Sequence, residues 1–171
     1  MYFTNLMIHL KKKKQNLISE LFTGETLTTI ECKDCGNVRQ RTETFLDMGA
    51  HFDETDKTKV YSLKAMLDKN FEDEKFEGDN SFFCENCGKK STLAIKRTIP
   101  RKYPPVLMIT LHRFYFDMST LKRLKLVNYV DIPTKITLTV PATTEGGAEE
   151  EISYGLFAAI VHRVSCFDFE Q

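Results

Sequence analysis

The sequence predicts an α+β fold that is rich in β-strand and carries zinc-ribbon fingers. Two CxxC pairs, each followed by glycine, are separated by 48 residues and flanked by segments rich in threonine and β-branched residues. A nearly continuous apolar run at 106–111 is typical of a strand buried on both faces. Helical periodicity is confined to two short segments, at 5–22 and 61–71.

The first half of the chain alternates helix with strand. Apolar residues recur at helical spacing over 5–22, interrupted by Lys11–Lys14, which we interpret as a solvated helix face rather than a localisation or nucleic-acid signal. The threonine-rich segment that follows predicts two strands joined by a tight turn at Cys32–Gly36. The period returns to that of a helix at 61–71, with Ser62 as a candidate cap.

The second half predicts strands and one exposed loop. Residues 92–99 form a strand candidate that ends at Pro100, and the apolar run at 106–111 is the candidate for a central strand. Two further strands are predicted at 135–140 and 152–162. The segment between them, PATTEGGAEEE, holds turn formers and charges but no apolar core, so we expect an exposed loop.

Composition limits the classes of function. The chain has 171 residues, enough for one domain or a piece of a larger one, and 24 basic residues balance 24 acidic ones. Zero net charge gives no overall attraction to nucleic acid or anionic lipid. No stretch approaches the roughly 18 apolar residues that span a bilayer, and the N-terminal charges follow the apolar part, the reverse of a secretory signal. We therefore expect an intracellular protein, cytoplasmic or nuclear, that binds neither nucleic acid nor membrane.

The cysteine spacing predicts a metal site. Two intervening residues let both thiolates of one turn face a single ion at about 2.3 Å, and the following glycine permits a positive φ. Two such turns complete a tetrahedral shell, so Cys32, Cys35, Cys84 and Cys87 are predicted to bind a structural zinc ion with no open position for substrate. Two unrelated reduced pairs, or a redox dithiol, are the alternatives, and the glycines argue against the second. Cys166 has no base placed beside it by sequence and is expected to be an incidental thiol.

The order of these motifs resembles the ubiquitin-specific protease family, which are papain-like cysteine proteases that remove ubiquitin. The matching segments are Ile18–Gly24, the first CxxC with Thr44–Asp47, Glu77–Asn80 with Phe82 and the second CxxC, Ala94 with Lys96, Pro104–Leu107 with Leu111–Phe114, and Tyr154–His162.

The resemblance implies a domain organisation. An N-terminal helical and basic segment at 1–16 precedes a partial domain at 17–171. In that domain the fingers cover about 22–100, strands of the palm sheet of a papain-like protease cover about 101–162, and a divergent tail covers 163–171.

The resemblance also implies a function, which is to hold ubiquitin through zinc-stabilised fingers. The family's cysteine box and its G-H-Y-like histidine motif have no match here, and His162 matches an earlier, non-catalytic histidine. We therefore expect no catalytic residue in this chain, which alone would be inactive. Asp79 and Phe82, near the second CxxC, are the expected ubiquitin contacts. His112 is expected to be a packed or surface strand residue, and His51 has no motif around it.

Two other functions remain open. A non-catalytic zinc-ribbon module that binds ubiquitin or another protein would share the same motifs. A nucleic-acid-binding zinc ribbon would need a basic surface with interleaved aromatic residues, and the neutral charge and the acidic residues near the second CxxC argue against it.

Overall fold

The computed structural model describes residues 16–52, 58–142 and 148–162. Within these ranges there are two short α-helices, α1 (Leu17–Phe22) and α2 (Leu63–Asp68), and 3₁₀ turns at Lys69–Phe71 and Gly78–Asn80. The strands are β1 (Gly24–Cys32), β2 (Val38–Phe45), β3 (Asp47–His51), β4 (Tyr61–Ser62), β5 (Glu74–Glu77), β6 (Phe83–Cys84), β7 (Lys89–Lys90), β8 (Leu93–Lys102), β9 (Met108–His112), β10 (Phe114–Asp117), β11 (Lys122–Lys125), β12 (Val130–Asp131), β13 (Lys135–Val140) and β14 (Glu150–Gly155).

Some predictions fall outside the described residues. The segment at 1–16 is described only at Asn16, and the tail at 163–171, with Cys166, is not described. In the described ranges, no helix has the length and apolar character needed to cross a membrane.

A four-stranded antiparallel sheet, in the order β2-β1-β8-β5, accounts for much of the segment predicted to form the fingers, and we call it the finger sheet. The predicted pair of strands joined at Cys32–Gly36 is confirmed as β1 and β2. Threonines on the central strands meet across the sheet, since the hydroxyls of Thr28 and Thr98 lie 3.2 Å apart. The edge strand β2 is almost wholly exposed and carries Arg39, Arg41 and Glu43, charged side chains of the kind that keep sheet edges from pairing with other chains.

The strand after the second CxxC runs further than predicted. β8 continues through Pro100 to Lys102 rather than ending at the proline. The register with β1 shifts between Glu25 and Thr26, which face Lys102 and Pro100, and β5 reaches only as far as Lys96. Proline is tolerated in a strand at a bulge or where one side has no ladder partner, and Pro100 has both conditions.

The hydrophobic core is built from both predicted regions, because β3, β4 and α2 fall within the predicted fingers and β9, β12, β13 and β14 within the predicted palm strands. The parallel strands β3 and β9 pack with α2, the hairpin β13–β14 and the short parallel pair β4–β12. The helix predicted at 61–71 is confirmed over 63–68, where Leu63, Met66 and Leu67 are all buried, whereas 61–62 form a strand and 69–71 a 3₁₀ turn. Ser62 occupies the N-cap position, but its side chain makes no capping hydrogen bond. The buried core comprises Met48, Ala50, Tyr61, Leu63, Met66, Leu67, Tyr103, Val130, Leu138 and Val140.

Several details of the palm differ from the predictions. The apolar run at 106–111 overlaps β9. In the described residues, β9 pairs only with β3 and is half-exposed, so the prediction that this strand is buried on both faces is wrong. Apolar composition does not say which strands lie on either side. The last strand ends at Gly155, and residues 156–162 form an exposed segment without regular structure. Strand β14 begins at Glu150, inside the predicted loop. The strands β4, β5, β6, β7, β10, β11 and β12 were not predicted.

Candidate metal centre

Each CxxC pair forms a knuckle with the same backbone geometry. In the first, the Gly36 N–H donates to the Cys32 carbonyl at 2.8 Å, and in the second the Gly88 N–H donates to the Cys84 carbonyl at 2.9 Å. Gly36 and Gly88 have φ of +70° and +66°, a region that side chains with a Cβ rarely adopt. The role predicted for the two glycines is therefore confirmed.

The finger sheet brings the four sulfurs together. Cys32 lies at the end of β1 and Cys84 in β6, and their Sγ atoms are 4.0 Å from Cys87 Sγ and 3.7 Å from Cys35 Sγ, respectively. All four sulfurs lie within 4.8 Å of one another. These separations far exceed a disulfide bond, and the four cysteines are free thiols.

The geometry fits a tetrahedral metal ion. A shell with metal–sulfur bonds of about 2.3 Å places its sulfurs roughly 3.8 Å apart, close to the shorter distances here. Cys32 and Cys84 are fully buried, whereas Cys35 is exposed and Cys87 half-buried. The four side chains can therefore hold one metal ion between the knuckles, with one side of the site toward solvent.

The thiol pKa values reflect crowding around the centre. A hydrogen bond with the Asn86 side chain, followed by one with the Asn37 backbone, lowers the pKa of Cys35 to about 6. The hydrogen bond to Cys35, together with burial, raises the pKa of Cys87 to about 12, and burial raises the pKa of Cys32. Cys35 therefore favours the thiolate, whereas Cys87 and Cys32 resist ionisation, a resistance that a bound cation would offset.

Contacts outside the cysteines join the two knuckles. The Asp34 carboxylate, between Cys32 and Cys35, accepts hydrogen bonds from the Thr92 hydroxyl and from the Thr92 N–H, the latter at 2.9 Å. These bonds lower the pKa of Asp34. The Lys33 N–H donates to the Leu93 carbonyl at 3.0 Å. These bonds anchor the first knuckle to the start of β8, the strand that follows the second knuckle.

The two predicted contact residues, Asp79 and Phe82, both precede the short strand β6 of the second knuckle. Asp79 is exposed in the 3₁₀ turn Gly78–Asn80. Phe82 is half-buried, and its carbonyl accepts bonds from the N–H and hydroxyl of Ser91 at 2.8 Å and 3.1 Å. The neighbouring Phe83 is 56% exposed, because side chains alternate along a strand and Cys84 points inward. The sequence analysis did not single out Phe83, although its position next to an inward-facing cysteine indicates an exposed side chain.

In the described residues, each of the four cysteines belongs to the cluster. His162 is exposed, its Nδ1 lies 3.3 Å from Lys125 Nζ, and its ring packs edge-on against Phe114 at 5.7 Å. These contacts give His162 a surface position beside the β10–β11 hairpin.

The amino-acid sequence is similar to known proteins over most of its length. The family described as "Ubiquitin carboxyl-terminal hydrolase" matches residues 3–166. Ubiquitin carboxyl-terminal hydrolase 40 of Homo sapiens is 32% identical over 153 residues, which is 89% of this chain and 12% of that protein. Ubiquitin carboxyl-terminal hydrolase 47 of Drosophila melanogaster is 31% identical over 142 residues, 82% of this chain and 9% of that protein. The chain thus spans about a tenth of the length of these curated relatives.

A solved structure shares the fold. In the SAGA Ubp8/Sgf11/Sus1/Sgf73 DUB module bound to ubiquitin aldehyde, one chain matches with a TM-score of 0.69 and 22% identity. The match covers 90% of this chain and 35% of that chain. The β-rich architecture with few helices is therefore that of part of a larger domain, as predicted.

Proposed function

Because this chain belongs to the ubiquitin carboxyl-terminal hydrolase family, we propose that it is the part of such a domain that holds ubiquitin, through fingers stabilised by zinc on the four clustered cysteines. The observation that carries the proposal is that the four sulfurs of the two knuckles lie together.

The finger tip, by which we mean the two knuckles at 32–36 and 82–91, depends on the metal for its stability. The second knuckle has strands of only two residues each, β6 and β7, and a hairpin of that size is marginal in water. Residues buried near the tip are Cys32, Cys84, Ser91 and Ala94, none of which belongs to the hydrophobic core. A structural metal replaces the core that a thin element cannot build. Zinc is the proposed ion because four thiolates in a closed tetrahedron suit it and leave it structural.

The proposed partner is ubiquitin. The SAGA module that shares this fold was solved bound to ubiquitin aldehyde. We propose that Asp79 and Phe82 contact ubiquitin, and we add Phe83, whose exposed ring next to the second knuckle offers a larger surface. Aromatic residues, Phe among them, are enriched at protein interfaces relative to the rest of the surface.

Hydrolysis by the family requires groups beyond those described. The described cysteines would all be metal ligands, so this chain alone is proposed to bind ubiquitin without cleaving it. A non-catalytic binding module is the alternative, and it differs only in whether the complete protein hydrolyses ubiquitin conjugates. We also propose an intracellular site of action, because a reducing compartment keeps such thiols available to a metal.

Calorimetric titration of the purified zinc-loaded chain with ubiquitin tests the binding proposal. We expect saturable binding that is lost after chelation, and about tenfold weaker binding for Phe83→Ala, a loss of about 1.4 kcal/mol. Cys166→Ser leaves both CxxC pairs intact and serves as the matched control for Cys84→Ser. A folded, zinc-loaded chain that does not bind ubiquitin would refute the proposal.

Metal content and activity are measured on the same preparation. Metal analysis should give one zinc per chain, and a fluorogenic ubiquitin amide should not be cleaved. Cleavage that disappears in Cys166→Ser would show that this chain carries its own nucleophile, contrary to the proposal.

A further inference from the structure

The β10–β11 hairpin presents two phenylalanine rings and two cations on one face. Phe114 lies opposite Lys125 in the antiparallel pairing, and side chains directly opposite one another share a face of the sheet. Two residues further along β10, and so on the same face, Phe116 lies opposite Arg123. The two rings are 52% and 54% exposed, and they line a depression together with Tyr115 and Arg123. We call the side chains of Phe114, Phe116, Arg123 and Lys125 the hairpin face.

No carboxylate neutralises these cations in the part of the chain that the structure describes. Among the described residues, no ion pair includes Lys122, Arg123 or Lys125. Asp117 is the only acidic residue between positions 113 and 130, and its carboxylate accepts three hydrogen bonds from the turn that follows it. Lys125 Nζ instead lies over the ring of Phe114, 5.8 Å from its centroid. The hairpin face is therefore both apolar and positively charged.

The hairpin is small for an element that exposes so much apolar surface. Among the described residues, β10 and β11 pair only with each other, and an isolated two-stranded hairpin is marginally stable in water. Apolar exposure continues at the turn, where Met118 and Leu121 are 77% and 69% exposed. It also continues in the exposed segment 156–162, whose His162 ring packs against Phe114. Contiguous exposed apolar surface marks an interaction site.

The size of the related domain indicates where a covering segment comes from. The match to the SAGA chain includes 90% of this chain but only 35% of that one, so the larger part of that fold lies outside the match. An isologous contact with a second copy of this chain is a poorer solution, because it would bring the same unneutralised cations together.

Building on the proposed role of this chain as part of a larger domain, we propose that the hairpin face is the docking surface for an extended acidic segment of the remaining part of that domain. Carboxylates of the segment pair with Arg123 and Lys125, and its apolar side chains rest on Phe114 and Phe116. Side chains on one side of an extended strand repeat about every 7 Å, which is also the repeat of the rings along β10 and of the cations along β11. An extended segment therefore meets both ring–cation pairs.

The test is a fluorescence-anisotropy titration of short labelled peptides with the zinc-loaded full chain. Overlapping peptides cover the hydrolase domain of human ubiquitin carboxyl-terminal hydrolase 40 outside its 153 matched residues. We expect saturable binding of one acidic stretch, weakened at least about tenfold in Arg123→Glu and in Phe116→Ser. Added salt should also weaken the binding, because exposed charges are screened.

Two variants of the edge strand β2 serve as matched controls. Arg41→Glu reverses an exposed charge and Val38→Ser removes an exposed apolar side chain, both outside the hairpin face. Neither should change the peptide affinity. Titration of the same preparations with ubiquitin separates the two proposals. Peptide binding without ubiquitin binding would refute only the ubiquitin proposal, and the converse would refute only the docking proposal.

Absence of binding by every domain peptide would overturn the docking proposal, and so would equal affinity in the parent and in Arg123→Glu. A peptide of alternating glutamate and phenylalanine that binds where no domain peptide does would place the partner outside the domain, contrary to the proposal. A discrete dimer in sedimentation equilibrium that dissociates in Phe116→Ser would assign the face to a second copy instead. If Arg123→Glu perturbs the NMR signals of the whole hairpin, Arg123→Gln replaces it.

Discussion

Removal of the metal should unfold the finger tip and leave the finger sheet paired. By finger tip we mean the two knuckles, 32–36 and 82–91. The first extends from β1, which pairs with β8 at eight positions, whereas the second depends on the two-residue strands β6 and β7. Elements with so few contacts of their own open locally without global unfolding.

The size of the effect follows from linkage. An ion present at about a thousand times its dissociation constant stabilises the state that binds it by about 4.1 kcal/mol. This corresponds to about a thousandfold change in the local opening equilibrium. Slow exchange of the Gly36 and Gly88 amides, which donate to the carbonyls of Cys32 and Cys84, should therefore accelerate about a thousandfold on chelation. The Thr28 amide, at the centre of the sheet, should change little.

Hydrogen exchange followed by NMR, with and without excess chelator, measures these amides separately. Cys84→Ser in the presence of zinc should resemble the chelated protein, and Cys166→Ser should resemble the parent. Unchanged exchange at Gly88 would refute a stabilising metal. Equal acceleration at Gly88 and Thr28 would refute the local character of the effect, since the whole sheet would then depend on the ion.

Three further predictions follow from single side chains. Hydrogen bonds from neighbouring hydroxyls lower the pKa of Asp117 to about 2, below about 3.9 for an unfolded chain, so the β10–β11 hairpin should keep this stabilisation above about pH 4 and lose it as the pH falls through 2. NMR of the hairpin against pH should show this transition, and Asp117→Asn should not. Leu67→Ala removes a fully buried core side chain and should lower the free energy of unfolding by about 2–5 kcal/mol in denaturant titrations, whereas Leu156→Ala, at an exposed position, should change it little. Asp34→Ala removes the bonds to Thr92 and should weaken metal binding about tenfold in chelator competition.

Each of these has a contradicting result. A hairpin transition that persists in Asp117→Asn would assign it to another group. A loss below about 1 kcal/mol for Leu67→Ala would mean that the core collapses around the cavity. Unchanged metal affinity in Asp34→Ala would show that the sheet alone positions the knuckles.

Local features of the fold were predictable because their causes lie within a few residues. The turn at Cys32–Gly36 and the positive φ of Gly36 and Gly88 follow from short-range geometry, and these predictions are confirmed. The buried face of α2 follows from helical spacing in the same way.

Features that depend on distant partners were predicted less well. The extension of β8 past Pro100 requires a bulge against β1 and the early end of β5, neither of which is visible in the residues around the proline. The half-exposure of β9 depends on which strands lie beside it, since an apolar run fits several neighbourhoods. The exposure of Phe83 depends on the register of a two-residue strand in which Cys84 is the buried partner.

The sequence by itself determined the ligand set of the candidate metal centre, because four cysteines in two glycine-terminated pairs already specify the donor atoms and the turn geometry. Tertiary structure alone decided that the pairs share one centre, since the antiparallel pairing of β1 with β8 brings the two knuckles together across 48 residues. It also decided that His51 and His112 are neighbours. Neither histidine lies in a motif, and only the register of β3 with β9 makes them opposite partners.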